Sequence, residues 1–262
     1  MSYSDDFNRD NEDPLNPINW TLISVPAGST YDGYFDNNLK VVSNKCRSST
    51  GGFFIGGAYR DSALNDNQYS QARVYLPNTC TKPDLAYGSI FVITRYDSTL
   101  STFYFATIFY ESGAYYIALK ALMEYGGGSY SFEVLGDNID ITSVYTDGKI
   151  LRLESNGTNH KVYYDGILYI NETDTVLSSG ETGIAVCNTI AVGDFPEDDD
   201  WEGGDLATGG GPADDRFRFR FSRLIAYSAS RLLWHNAAWP PDAGILNPAL
   251  DAQGDSDPRI IN

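Results

Sequence analysis

The chain has 262 residues, 42% of them hydrophobic, and its 35 acidic against 18 basic side chains give a formal charge of −17. A surface this acidic repels phosphate backbones and anionic bilayers, so neither nucleic-acid binding nor membrane insertion is expected. Nineteen Tyr, thirteen Phe and 25 Gly against two Met favour pleated strands and tight turns over helices.

The first residues, "MSYSDDFNRDNEDPLNPINWTLI", hold no apolar run of the length an export signal needs. The expectation is a protein made and folded in a cytoplasm. Phe7, Leu15, Ile18 and Trp20 are spaced through this acidic stretch as anchors, which reads as a fold that begins at once rather than a loose tail. Cys46, Cys80 and Cys187 form an odd set without C-x-x-C spacing. They suit neither a disulfide framework nor a zinc site, and read as small buried hydrophobes.

Alternation maps the middle of the chain. "YSQARVYL" (69–76), "SIFVITRY" (89–96), "TFYFATIFY" (102–110) and "AYYIALKAL" (114–122) are strand candidates broken by Pro77, Asp97-Ser98 and Glu111-Ser112-Gly113. Over 143–170 three pairs, Asp147-Gly148, Asn156-Gly157 and Asp165-Gly166, fit type I′ turns and predict a meander of four short strands. Past residue 190 an acidic, glycine-rich stretch reads as a long loop. "DRFRFRFSRLIAY" then reads as a strand, with Phe217, Phe219 and Phe221 on one face. The end is proline-studded and irregular yet apolar, so Trp234, Trp239, Ile245 and Leu246 need a surface to bury them.

"DDFNR" followed by "NW", "NQYSQARV" (67–74), "KILRLESNG…HKVYYDGILY", "TGIAV" (182–186) and "DDDWEGGDL" (198–206) come in an order that resembles the concanavalin A-like (laminin G-like) jelly rolls of phage and bacterial surface proteins. The resemblance covers roughly residues 4–227. It implies an all-β, antiparallel jelly-roll β-sandwich over 1–228 whose first and last strands share a sheet, with an irregular C-terminal arm over 229–262. The chain departs from the pattern in the glycine-rich insertion after Trp201 and in the arm, which leaves the terminal strand open between 194–201 and 217–227.

Enzymes of this fold that cut β-glucans resemble one another in a strand bearing E-x-D-x-E or E-x-D-x-x-E, spacings that set two carboxylates on one face. Glu172 and Asp174 in "NETD" stand two apart and lack a third carboxylate. His160 and His235 are the only histidines, with no G-x-S-x-G elbow beside them, and His160 reads as a surface or pairing residue on the meander. The expectation is a non-enzymatic chain. The run Asp198, Asp199, Asp200, Glu202 and Asp205 concentrates oxygens of the kind Ca²⁺ accepts, with Asp199, Asp200 and Asp205 as the metal candidates and no other cofactor expected. Trp201 and Tyr125, placed in loops, are the candidates for stacking on sugar rings.

The first expectation is therefore a bacteriophage virion protein, such as a capsid decoration, head fibre or tail fibre module. It would assemble as a homo-oligomer and with other virion proteins through Trp234, Trp239, Ile245 and Leu246. The alternative is a carbohydrate-binding module that adsorbs to host-surface glycans.

Overall fold

The structure, a computed structural model, describes residues 1–29, 35, 39–49, 54–62, 64–80, 89–188 and 195–207. Among them there is no helix, and fifteen strands form two antiparallel sheets. All of the strands fall in the compact unit Met1–Leu206. The expected strand at 217–227 and the whole arm from 229 lie outside the described residues.

One sheet has eight strands: β1 (Ser2–Asp5), β3 (Leu39–Val42), β4 (Lys45–Ser48), β6 (Gln68–Tyr75), β11 (Lys149–Asn156), β12 (Asn159–Tyr164), β13 (Ile167–Thr173) and β15 (Glu197–Asp205). Its order is β13-β12-β11-β6-β15-β4-β3, with β1 also on β15. The other has seven: β2 (Thr21–Leu22), β5 (Phe54–Arg60), β7 (Ser89–Asp97), β8 (Thr102–Glu111), β9 (Ala114–Glu124), β10 (Tyr130–Asp140) and β14 (Glu181–Asn188). They run β10-β9-β8-β7-β14-β5-β2. This is a concanavalin A-like jelly-roll sandwich, as the motif order implied.

The motifs acquire physical roles. β1 lies beside β15, with Ser4 opposite Glu202 and Asp5 opposite Trp201. In "DDFNR…NW", Asp5 accepts from the Phe7 N–H at 2.9 Å and the Trp20 indole at 2.8 Å, and pairs with Arg9. Phe7, Leu15 and Trp20 are buried, while Ile18 is exposed and anchors nothing. The three cysteines are buried thiols that form no disulfide with one another.

Three sequence expectations need correction. Residues 197–205 form β15 rather than a loop: they pair with β6, β4 and β1, and a bulge between Asp199 and Glu202 lets Asp198 and Trp201 both turn inward. The meander has three strands, because 141–148 crosses from β10 in one sheet to β11 in the other and has no strand to pair with. Its Val144 and Tyr145 N–H groups bond to Ile141 O as a turn. Of the three turn pairs, only Asp165-Gly166 has positive φ twice, at 50° and 76°, as a type I′ turn demands.

Side chains on the facing sides of the sheets make the main core. Ala72, Leu151, Leu153 and Val162 from one sheet meet Ile90, Val92, Ile108 and Leu119 from the other. Each of these Leu, Ile and Val side chains contributes about 1.5–3 kcal/mol by leaving water.

Candidate functional site

β7 and β8 are not half-buried alternating strands. Residues 89–96 and 102–109 are buried without a break, which requires cover on both faces of the sheet. One face is the main core. The other carries a second apolar cluster that includes Phe91, Ile93, Phe103, Phe105, Leu122 and Cys187, with Ile23 and Phe35 packed over part of it.

Strand register builds the site on that outer face. Phe91 lies opposite Thr107, Ser89 opposite both Phe109 and Cys187, and Lys120 opposite both Phe105 and Val134. Residues directly opposite one another share a face, so side chains from β10, β9, β8, β7 and β14 converge on one groove. It has a volume of ≈ 190 Å³ and is lined by Phe91, Phe105, Phe109 and Phe132 with Thr107 and Lys120, and by Ile55, Ser89, Val134 and Cys187.

Thr107 is 1% exposed, and its hydroxyl has no hydrogen-bond partner. A buried unpaired hydroxyl costs about 1–3 kcal/mol, a cost that a polar group reaching this atom would relieve. The Lys120 ammonium stands 5.1 Å from the centre of the Phe109 ring, within range of a cation–π attraction. Burial pushes the Cys187 thiol up, with Cys80 adding to it, so Cys187 remains a neutral part of the wall. The arrangement offers ring edges, hydroxyls and one ammonium.

The residues singled out from the sequence lie elsewhere. Trp201 is not in a loop: it sits on β15 at 1% exposure, its indole donating to Ser70 at 3.0 Å and its ring 4.7 Å from that of Trp20. It has no surface to offer a sugar. Tyr125 is exposed after β9, outside the groove, and donates to Glu133 at 2.8 Å. Asp199, Asp200 and Asp205 do not converge. Asp199 accepts from the Asp200 N–H at 2.8 Å, Asp200 pairs with Arg73 at 2.6 Å, and Asp205 holds the Met1 amino group at 2.6 Å. Among the described residues, no group of three His, Cys, Asp or Glu is placed to hold a metal. His160 is not on the surface but buried, 3.0 Å from Ser155 through Nδ1. Trp234, Trp239, Ile245 and Leu246 lie outside the described residues. The groove residues escaped the sequence reading because β8 looks like any alternating strand. The available signal was that its aromatics occupy both parities: Phe103, Phe105 and Phe109 on one, Tyr104 and Tyr110 on the other.

No protein-family model matches the chain, and no curated protein matches it. Solved structures similar to it include the carbohydrate-binding module CBM66 from Bacillus subtilis, at 16% identity and TM-score 0.41 over 71% of this chain and 92% of that one. Another is the Bacillus licheniformis β-glucanase, at 14% and 0.48 over 79% and 98%. A third is the catalytic domain of an endo-1,3-β-glucanase (laminarinase) from Thermotoga petrophila, at 12% and 0.48 over 78% and 97%. The likeness is one of fold. The expectation of a non-enzymatic chain does not stand: glucanases are among the similar structures, and Glu197, Asp199 and Glu202 in "EDDDWE" on β15 have the E-x-D-x-x-E spacing that the sequence reading overlooked.

Proposed function

We propose that the chain binds carbohydrate in the groove on the outer face of the seven-stranded sheet. The observation that supports this reading is the pairing of an unpartnered, buried Thr107 hydroxyl with walls of Phe91, Phe105, Phe109 and Phe132. A sugar unit is amphipathic in the same way. Its C–H groups leave water against apolar walls, and its polar substituents need a placed partner, which Thr107 supplies. No finding favours the virion role expected from the sequence.

A glycan array probed with the full chain, followed by titration calorimetry of the hits, tests the reading. Val134 lines the groove from the edge strand β10 and is half exposed, so Val134→Arg obstructs the groove at little cost to folding. The expected result is at least a ten-fold loss of affinity with the melting temperature unchanged, ten-fold being about 1.4 kcal/mol. An array without hits, or binding indifferent to this variant, overturns the proposal.

A further inference from the structure

The shape of the groove narrows the ligand. Phe91 and Phe105 meet edge to face with centroids 4.8 Å apart, and Phe105 and Phe132 do so at 5.5 Å. Rings turned against one another in this way give a sugar no broad platform to lie flat on. They leave a cleft between ring edges, suited to a small apolar substituent. The volume of ≈ 190 Å³ falls below the roughly 300–1,000 Å³ of pockets that enclose drug-sized ligands, so the groove takes one sugar unit at most.

Beside this cleft stands a single unpartnered hydroxyl, Thr107 Oγ1, which both donates and accepts. A plain sugar hydroxyl would satisfy Thr107 but set a polar group against the rings. A bare methyl, as on a deoxy sugar, would fill the cleft but leave Thr107 unsatisfied. A methyl joined to an amide does both. An acidic substituent is disfavoured by the formal charge of −17. Resting on the carbohydrate reading, we infer that the groove recognises a 2-acetamido sugar. The acetyl methyl lies among Phe91, Phe105 and Val134, and the amide bonds to the Thr107 hydroxyl.

The test is titration of the full chain with N-acetylglucosamine, glucose and the deoxy sugar fucose, together with saturation-transfer NMR. The acetamido sugar is expected to bind at least ten-fold more tightly than the other two, with the acetyl methyl the most strongly saturated position. Thr107→Val is expected to bring the ratio of N-acetylglucosamine to glucose affinity toward one while the protein stays folded. Thr107→Ser, which keeps the hydroxyl, is expected to retain the ratio. Equal binding of the three sugars, a preference for fucose, or a ratio untouched by Thr107→Val overturns this inference and leaves the carbohydrate reading standing. Binding of no sugar at all, on this panel or on the array, overturns both.

Discussion

Trp201 and Ser70 join neighbouring strands through their side chains: the indole N–H donates to the Ser70 hydroxyl at 3.0 Å, and that hydroxyl donates onward to Gly183 O at 2.9 Å on the opposite sheet. The chain of two bonds links β6 and β15 in one sheet to β14 in the other. It ties the motif "DDDWEGGD" to packing. Trp201→Ala is expected to cost about 3–5 kcal/mol, the range for truncating a buried aromatic. Trp201→Phe should cost less, since Ser70 keeps its bond to Gly183. Urea unfolding of both variants checks the order.

The glycine after Glu202 serves the same packing. A Cβ at Gly203 would lie 2.6 Å from the Trp201 ring and 2.6 Å from the Thr182 hydroxyl. Gly203→Ala is therefore expected to destabilise by about 1–3 kcal/mol through overpacking, measured by the same unfolding experiment.

Asp198 is fully buried opposite Cys46. Burial raises its carboxyl well above the ordinary 3.8, the nearby Asp199, Asp5 and Glu197 charges add to this, and the Cys46 thiol opposes it. The folded state thus keeps a proton that the unfolded chain releases above about pH 4. Its contribution to stability is fully present below 3.8 and is lost as pH rises toward the folded value. Asp198→Asn removes that dependence. Its stability relative to the parent should rise with pH between 4 and 7, and a parallel pair of curves would refute the assignment.

His160 has the opposite sign. Burial, then the Arg95 charge, lowers it from 6.5 to about 4, while Asp174 opposes the shift. The folded ring stays neutral where the unfolded one takes up a proton, so stability is lost as pH falls from 6.5 toward 4. NMR of the imidazole carbons should show one histidine neutral down to about pH 4. His160→Gln should flatten the stability profile between those values.

Tyr125 is 63% exposed at the end of β9. Tyr125→Ala is expected to change stability by no more than about 0.5 kcal/mol and to leave sugar binding intact. A ten-fold loss of binding would return Tyr125 to the site.

Much of the fold was legible because its signals are local. Alternation marked β6, β8 and β9, paired turn residues marked the hairpin at Asp165-Gly166, and the resemblance put the first and last strands in one sheet, as β1 and β15 are, while leaving the last strand open between 194–201 and 217–227. Local signals failed where a partner decides the outcome. Residues 143–146 carry strand-like residues but cross between sheets, and 197–205 are acidic yet pair on both edges. Ile18 and Trp20 looked alike as anchors until packing exposed one and buried the other.

By itself, the sequence determined the class of fold, since side-chain period and turn chemistry act over a few residues and survive without neighbours. Only the tertiary structure assembled the candidate groove. Phe91, Thr107, Lys120 and Val134 come from four strands and meet through cross-strand register, which no stretch of chain encodes alone. The same register turned Trp201 into the core, because one extra residue in a bulge is enough to change which face a side chain occupies.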